Sequence, residues 1–341
     1  MDRGRFGLIG IGCWALLGLG GVAASAEAAS EVSGRTQAVA EGKVSRITIG
    51  LARHSVFSLP IYLTAQQTAR SVGLTVDVVS FGGGSRVAAA LASDSLEVAT
   101  VSLDVLVGLI NAGQPVQAFY AGVFHPLFEW FARPPIRGWG DLRGRSIAIS
   151  TFGSSADFLT RHVMRKHGLT PGQDVHLVQA GELANGFAAL RAGRVDAALL
   201  AAPFTWSAEE LGFTRLGSQA TEVAETWPRN VFVAKQRMIS GSPHTLQAFL
   251  RAYVEAIRLA RTNRNVAVQT MQRELKLDPR HAERAYAEVM AGFDERGRLP
   301  TKVMPLFWQI AVAAGDVTEP WPEARFFDRR FLDTFDEWAP K

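Results

Sequence analysis

The stretch Arg46–Leu51, which reads RITIGL, decides the fold class because it opens a regular alternation of short strands and longer helices. Three similar apolar runs follow it, at Thr75–Val79, Val98–Val101 and Val116–Tyr120. The segments between them have the apolar spacing of helices, as at Arg86–Ser93. Strands that alternate with helices of this length indicate parallel sheets with helices on their faces. The sequence therefore predicts an α/β protein.

A second series of the same kind occupies the middle of the chain. Its strands are predicted at Ser146–Ile149, His176–Val178 and Ala197–Leu200. The segment Ala188–Ala198 also resembles Ala89–Ala99, since each reads as a helix end, a turn, an acidic residue and a buried strand. Two such copies indicate two similarly built lobes, because a solenoid needs three or more short repeats.

Each copy places one acidic residue, Glu97 or Asp196, directly before its buried strand. Glu97 and Asp196 therefore look like a paired acidic feature. These two belong to separate lobes, however, and both stand at the entry of a strand. We therefore predict structural roles for them.

The N-terminus has the build of a secretory signal peptide. Arg3 and Arg5 precede the apolar run Phe6–Ala24, and Ala24–Ala26 supplies the small residues of a cleavage site. We predict a signal peptide at residues 1–26, export to the periplasm, and a flexible leader at residues 27–43. An uncleaved N-terminal anchor is the alternative, because Phe6–Ala24 is nearly long enough to span a bilayer.

Charge and cysteine content exclude several classes of function. The 36 Lys and Arg exceed the 32 Asp and Glu only slightly and form no block of like charges, so binding of nucleic acid or a membrane surface has little support. The single cysteine, Cys13, lies in the predicted signal peptide. The mature chain therefore has no disulfide and no thiol nucleophile. The seven histidines show no metal-ligand spacing, and we predict no metal and no cofactor.

Two loops rich in Gly and Ser follow predicted strands and open helices, one in each half: Ser80–Ser85 reads SFGGGS, and Ser150–Ser155 reads STFGSS. In open α/β sheets ligands bind beyond the carboxyl ends of the strands, where helix N-termini hold anions through free N–H groups and a partial positive charge. Ordinary helix caps are the alternative. Neither loop is a P-loop. The candidate ligand contacts here are Gly83, Gly84, Ser85, Thr151, Gly153, Ser154 and Ser155.

Further short motifs occur in a definite order, with Gly113–Val116 (GQPV) followed by Asp141–Arg145 (DLRGR) and Gly193–Ala197 (GRVDA). Together with the two loops, this order resembles the substrate-binding proteins of nitrate/sulfonate/taurine-type ABC importers, a group that also includes pyrimidine-precursor binders. The resemblance covers roughly Arg46–Ala291.

The resemblance implies a type II periplasmic-binding fold, in which two α/β lobes are joined by two crossover strands and a ligand binds in the cleft. Lobe I would take residues 44–130 and 229–341, and lobe II residues 131–228. The helical C-terminal third would complete lobe I.

The resemblance also brings the other strand-end loops to the cleft. Arg53, after the first strand, would pair with a carboxylate or sulfonate, and Phe57 would form an apolar wall. A solvated Arg53 and a packed Phe57 are the alternatives. Asp104 either caps a helix or meets a ligand ammonium, and Trp206 either stacks on the ligand or lies in the core. The candidates from these loops are Arg53, Phe57, Ser58, Ser102, Asp104, Glu182, Pro203 and Trp206.

The function predicted from these features is that of a monomeric periplasmic binding protein, without catalytic activity. It would capture a small organic anion and deliver it to an ABC permease. An enzyme of the same fold, of the pyrimidine-precursor or menaquinone-pathway type, is one alternative. Its pyrimidine synthases carry a cysteine-rich cluster that the mature chain lacks, and a signal peptide argues against a cytosolic role. A binder of a neutral thiamine-related pyrimidine is the other alternative.

Overall fold

The computed structural model of the chain describes residues 45–341. The predicted signal peptide at residues 1–26 and the predicted leader at residues 27–43 lie outside the described residues and stay predictions. Within residues 45–341, no helix is both long enough and apolar enough to cross a membrane.

Two mixed sheets of five strands each form the centre of the described chain. The strands are β1 (Ser45–Leu51), β2 (Leu74–Ser80), β3 (Val98–Val101), β4 (Val116–Val123), β5 (Glu129–Ala132), β6 (Arg145–Ile149), β7 (Val175–Gln179), β8 (Ala197–Leu200), β9 (Thr214–Ser218) and β10 (Asn230–Lys235). The first sheet has the order β2-β1-β3-β10-β4 and the second the order β7-β6-β8-β5-β9. The two orders match position for position, as the sequence echo predicted.

Helices connect the strands and cover the sheets. They are α1 (Leu59–Leu63), α2 (Gly84–Ala92), α3 (Leu103–Asn111), α4 (Ser155–Lys166), α5 (Leu183–Arg191), α6 (Phe204–Glu210), α7 (Gln219–Glu222), α8 (Gln236–Gly241), α9 (Pro243–Thr262), α10 (Arg264–Leu275), α11 (Pro279–Val289), α12 (Met304–Ala314), α13 (Arg330–Asp333) and α14 (Phe335–Trp338). The helices that follow β2 and β6 begin at Gly84 and Ser155, within the two Gly/Ser loops that the sequence predicted to open helices.

Both sheets are mixed, whereas the alternation of strands and helices indicated parallel sheets. In the first sheet β10 runs antiparallel to both β3 and β4. In the second sheet β5 runs antiparallel to both β8 and β9. The antiparallel strand is in each case the one that the chain forms directly after it crosses from the other sheet. A crossing strand approaches its new sheet from the opposite end, and this reverses its direction.

The two acidic residues before the buried strands have equivalent structural roles. Glu97 Oε2 accepts a hydrogen bond from the Thr48 N–H at 2.7 Å. Asp196 Oδ2 accepts one from the Ser146 N–H at 2.9 Å. In both sheets the acid thus binds the backbone of the neighbouring strand, as the sequence analysis predicted.

The chain passes twice between the sheets, at residues 124–128 and at residues 219–229. We call the part around the first sheet lobe I (residues 45–123 and 230–341), the part around the second sheet lobe II (residues 129–218), and these two segments the crossings. The Trp227 N–H donates to the Phe124 carbonyl at 2.9 Å, and the Gln219 N–H donates to the Phe128 carbonyl at 2.7 Å. The crossings are therefore held together, and Trp227 between them is fully buried.

Aromatic packing fixes the strand that returns to lobe I. Phe232 on β10 lies 4.9 Å from Tyr253 and 5.4 Å from Phe249 of α9, measured between ring centroids. All three side chains are buried, and burial of a side chain of this size contributes about 1.5–3 kcal/mol. This packing holds the start of β10, next to the second crossing, in a defined place.

Candidate functional site

The loops of the two lobes touch each other across the cleft. Ser85 Oγ of lobe I donates to Thr151 Oγ1 of lobe II at 2.8 Å. Ser80 Oγ donates to Glu182 Oε1 at 3.0 Å. A Cβ atom placed on Gly83 would lie only 2.7 Å from Thr151 Cγ2. The cleft is therefore closed, and a glycine permits the closest approach.

Closure leaves a cavity of about 40 Å³ between the lobes. One water molecule needs about 10–15 Å³ measured in this way, so the cavity has room for a group of a few heavy atoms. Its lining is mostly hydroxyl groups, backbone and two arginines. The lining residues are Ala52, Arg53, Ser55, Ser58, Gly84, Thr100, Ser102, Phe128, Ser154, Ser155, Arg229 and Asn230.

Three helices begin at this cavity. α2 begins at Gly84, α3 follows its N-cap Ser102, and α4 follows its N-cap Ser154. Gly84, Ser102 and Ser154 all line the cavity. The first N–H groups of a helix lack intrahelical partners and carry a partial positive charge. Two helices from lobe I and one from lobe II therefore present donors to one small space, which is the arrangement that binds anions.

Two arginines from lobe I and the second crossing add full positive charges. Arg53 lies in the loop after β1, and Arg229 directly precedes β10. Arg229 is only 6% exposed. Arg53 is partly exposed as a whole side chain, yet the Nη1 atoms of both are buried without a hydrogen-bond partner among residues 45–341. Neither arginine forms a salt bridge with a residue in that range.

Burial disfavours the charged forms of both arginines. Burial lowers the pKa of Arg53 to about 10, although the negative charges of Glu182 and Asp104 act in the opposite direction. Burial also lowers the pKa of Arg229, and the positive charge of Arg53 lowers it further. Buried charges are normally paired. An anion in the cavity would supply the missing partner for both guanidinium groups.

Aromatic rings stand where carboxylates usually would. The Arg53 Cζ atom lies 4.7 Å from the ring centroid of Phe128, and the Arg229 Cζ atom lies 4.6 Å from the same centroid. Arg229 Cζ is also 5.2 Å from the ring centroid of Phe57. Such contacts attract a cation without neutralising it.

A group of polar atoms without partners lies beside the arginines. Ser102 Oγ, Ser155 Oγ and Asp104 Oδ1 are buried and make no hydrogen bond to residues 45–341. Burial raises the pKa of Asp104 to about 7, which outweighs the opposite effect of the nearby Ser102 hydroxyl. Asp104 itself does not line the cavity. Its carboxyl group is therefore a titratable neighbour of the site rather than part of the wall.

The structure brings six of the fifteen sequence candidates together around the cavity. These are Arg53, Ser58, Gly84, Ser102, Ser154 and Ser155. Four more form the contact between the lobes at its edge, namely Gly83, Ser85, Thr151 and Glu182. Phe57 lies one layer out, against the Arg229 guanidinium.

Gly153, Pro203 and Trp206 do not line the cavity. The Gly153 N–H donates to Asp157 Oδ2 at 3.0 Å, and Asp157 lies in the first turn of α4. Trp206 is buried and stacks on His281, with the ring centroids 5.3 Å apart, while the Arg284 Cζ atom lies 4.4 Å from its ring. Of the two interpretations of Trp206, packing is the one that describes these contacts.

Six lining residues are not among the sequence candidates: Ala52, Ser55, Thr100, Phe128, Arg229 and Asn230. Ala52 and Ser55 lie on either side of Arg53, in a loop that the sequence does indicate. Phe128 and Arg229 lie on the crossings, so only the return of the chain between sheets reveals their position. The run Trp227-Pro228-Arg229 was the available signal, and it marked a boundary without indicating a contact.

A ring of hydroxyls, helix N-termini and guanidinium groups can bind an anion through many converging donors. It has no arrangement of nucleophile and base, and residues 45–341 contain no group of His, Cys, Asp or Glu that could hold a metal ion. The two matching sheets with an enclosed cavity between them are the fold of the periplasmic binding proteins.

The chain belongs to the NMT1/THI5 like family, whose profile matches residues 70–266, more than half of the chain. It is 24% identical over 221 residues to the binding protein YtlA of Bacillus subtilis. The matched region is 63% of this chain and 66% of YtlA, just under two thirds of that relative.

Two solved structures show the same fold. The alkanesulfonate-binding protein SsuA from Xanthomonas axonopodis pv. citri, bound to MOPS, matches 84% of this chain and 99% of its own, with a TM-score of 0.69 and 20% identity. The periplasmic nitrate-binding protein NrtA from Synechocystis PCC 6803 matches 88% of this chain and 92% of its own, with a TM-score of 0.67 and 13% identity.

Proposed function

We propose that this protein is the periplasmic solute-binding component of an ABC importer and that it captures a small organic anion in the cavity between its lobes. The observation that carries the proposal is the pair of guanidinium groups, Arg53 and Arg229, which face one cavity and have no acidic partner there. The protein would bind the ligand as a monomer and deliver it to a membrane permease. Membership of the family and the named ligands of SsuA and NrtA support a role in binding.

The charge of the site supports an anion over a neutral ligand. A neutral thiamine-related pyrimidine would bring no counter-charge to the two buried arginines, and a buried charge left without its partner costs several kcal/mol, roughly 3–5. A carboxylate, sulfonate or nitrate would instead accept charge-assisted hydrogen bonds of about 1.5–3 kcal/mol each. The size of the cavity supports an anionic group of a few heavy atoms.

The alternative function is that of an enzyme with the same fold. The lining has serine and threonine hydroxyls but no base within it, whereas activation of a hydroxyl nucleophile requires one. Asp104 is the nearest group whose pKa lies close to neutrality, and it stands outside the wall. The lining thus supports binding over catalysis.

Native mass spectrometry of the protein, purified from the periplasm of its own cells without dialysis, tests the proposal. We expect a one-to-one complex of a monomer with an anionic organic molecule, in a chain that begins near Glu27. Recovery of full-length chain from the cytosol, or of a neutral ligand, would contradict it. Uptake of the identified molecule by cells that lack the gene then tests delivery to a permease, and undiminished uptake would count against that part.

A further inference from the structure

The two arginines of the cavity repel each other, so something must keep both of them in place. Both Nη1 atoms are buried without a partner among the described residues, and the Arg53 charge lowers the pKa of Arg229. With no acid paired to either, each guanidinium gains by turning away from the other towards water. A site that depends on both charges therefore needs a holding group.

Among the cation–π contacts within residues 45–341, the Phe128 ring is the one shared by both guanidinium groups. Their Cζ atoms lie 4.7 Å and 4.6 Å from its ring centroid, within the distance of a cation–π interaction. The ring is fully buried. Its backbone is fixed as well, because the Phe128 carbonyl accepts the hydrogen bond from the Gln219 N–H of the other crossing.

We infer that Phe128 is a positioning residue which holds Arg53 and Arg229 towards the cavity through cation–π contacts, and so sets the affinity for the anion. The inference rests on the proposed function. A carboxylate in the same place would hold the arginines too, but it would cancel the charge that attracts the ligand. The negative face of an aromatic ring attracts a cation and leaves its charge available.

Because Phe128 lies on the first crossing, the same contact links the arginines to a segment that joins the two lobes. One arginine belongs to the loop after β1 and the other to the second crossing. The ring therefore joins three segments of the site that are distant in sequence. Loss of the contact would free the two side chains, and binding would have to order them again, at a cost in affinity.

The test replaces Phe128 in the full-length mature protein by mono-, di- and trifluorophenylalanine, because fluorine weakens the negative face of the ring with little change in size. Affinity for nitrate, methanesulfonate and benzoate is measured by calorimetry. Two cation–π contacts at the lower end of their usual strength correspond to about a 5- to 30-fold change in affinity. We expect the affinity to fall by that amount in steps along the fluorine series. Phe128→Leu should lose as much, and Phe128→Tyr should retain near wild-type affinity.

Phe119 is the matched control. It is buried in β4, the strand before the first crossing, and packs on Phe232 and Phe331. No guanidinium lies over its ring in the described part of the chain. The same fluorine series at Phe119 reports what fluorine does to packing alone. We expect the affinity to stay level there.

Unfolding in urea, without any added anion, separates the possible failures. The midpoint should fall with each fluorine at position 128 more steeply than at position 119, and equal slopes would overturn the inference. A steeper slope with unchanged affinity would also overturn it, since Phe128 would then hold arginines that do not serve binding. Affinity that rises with fluorine would mean that the ring faces the anion itself, which contradicts the positioning role. If the wild type binds none of the anions, the proposed function fails, while the unfolding slopes still decide whether the ring holds the arginines.

Discussion

Lobe I and lobe II have the same strand order, yet they contribute different chemistry to the cavity. The first sheet and the crossings supply both cations, Arg53 and Arg229, whereas lobe II supplies the neutral donors Ser154 and Ser155 at the start of α4. Burying a full charge is far more costly than burying a hydroxyl that finds a partner. Lobe I and the second crossing thus form a charged side that attracts the ligand, and lobe II closes over it without adding a charged side chain to the lining of the cavity.

Removal of one of the two arginine charges should reduce the affinity for the anion more than any change on the neutral side. In Arg229→Met we expect affinity for the co-purified anion to fall by about 100-fold or more, because a buried charge-assisted hydrogen bond is worth up to about 3 kcal/mol. Arg53→Ala should cost about 10- to 100-fold. The ligand-free Arg229→Met protein should resist urea better than the wild type, since replacement of an uncompensated buried charge by an apolar side chain is stabilising.

Arg237→Met is the control for these variants. Arg237 is 71% exposed and pairs with Asp94 on the surface, so both affinity and stability should stay close to wild type. Wild-type affinity in Arg229→Met and Arg53→Ala, measured by calorimetry on folded protein, would mean that the charged side of the comparison is wrong.

The closeness of the lobes can be tested without a change of charge. Gly83→Ala would place a Cβ atom against Thr151 and hold the lobes apart, and we expect about a 10-fold or larger loss of affinity, because the donors of lobe II are withdrawn. Gly83 has an extended backbone with a φ of 166°, so alanine adds no strain there. The double variant Gly83→Ala/Thr151→Ala should recover much of the loss.

Small-angle scattering provides the second measurement for this pair. With saturating ligand the radius of gyration should decrease in the wild type and in the double variant, and less in Gly83→Ala alone. Equal curves with and without ligand in the wild type would count against closure.

Asp104 should make stability depend on pH. Its pKa is about 7 in the folded protein and close to 3.9 when unfolded, so the folded state holds the proton more tightly. Unfolding free energy should therefore fall as pH rises from about 4 to 7 and then level off. Asp104→Asn should remove this slope and be about 1–2 kcal/mol more stable than the wild type at pH 8, after allowance for partial exposure. Parallel curves for the two proteins in urea titrations between pH 4 and pH 8 would refute this.

Single hydroxyls on the neutral side should matter least. Ser155→Ala removes a side chain that lines the cavity, but the backbone N–H at the start of α4 remains. We expect about a 2- to 10-fold loss of affinity, since one neutral hydrogen bond contributes about 0.5–1.5 kcal/mol. A loss as large as that of Arg229→Met in the same titration would remove the distinction between the two sides.

Local sequence patterns predicted the parts of the site that follow the ends of parallel strands. Arg53, Ser102 and Ser154 lie in the loops that follow β1, β3 and β6, strands that read clearly as apolar and β-branched. The carboxyl ends of such strands meet at one edge of a sheet. The predicted strand Val98–Val101 agrees with β3 residue for residue.

Long-range return of the chain accounts for what was missed. β5 reads EWFA and β9 reads TRLGS, which are too short and too irregular to show an alternating pattern. Phe128 directly precedes β5, and Arg229 directly precedes β10. The two residues lie together only because the chain crosses between the sheets at both places. Trp206 shows a second limit of sequence patterns. An aromatic residue in a strand-end loop gives the same pattern whether it contacts a ligand or, as here, packs against His281 and Arg284.

The central claim is that the cavity binds negative charge. Calorimetric titration of the wild type with nitrate, methanesulfonate and benzoate, beside the neutral analogues methanesulfonamide and benzamide, tests it most directly. We predict that at least one anion binds about 100-fold more tightly than its neutral analogue, and that this difference disappears in the Arg53→Met/Arg229→Met double variant. Equal or tighter binding of the neutral analogues, or no binding of any anion, would contradict the account.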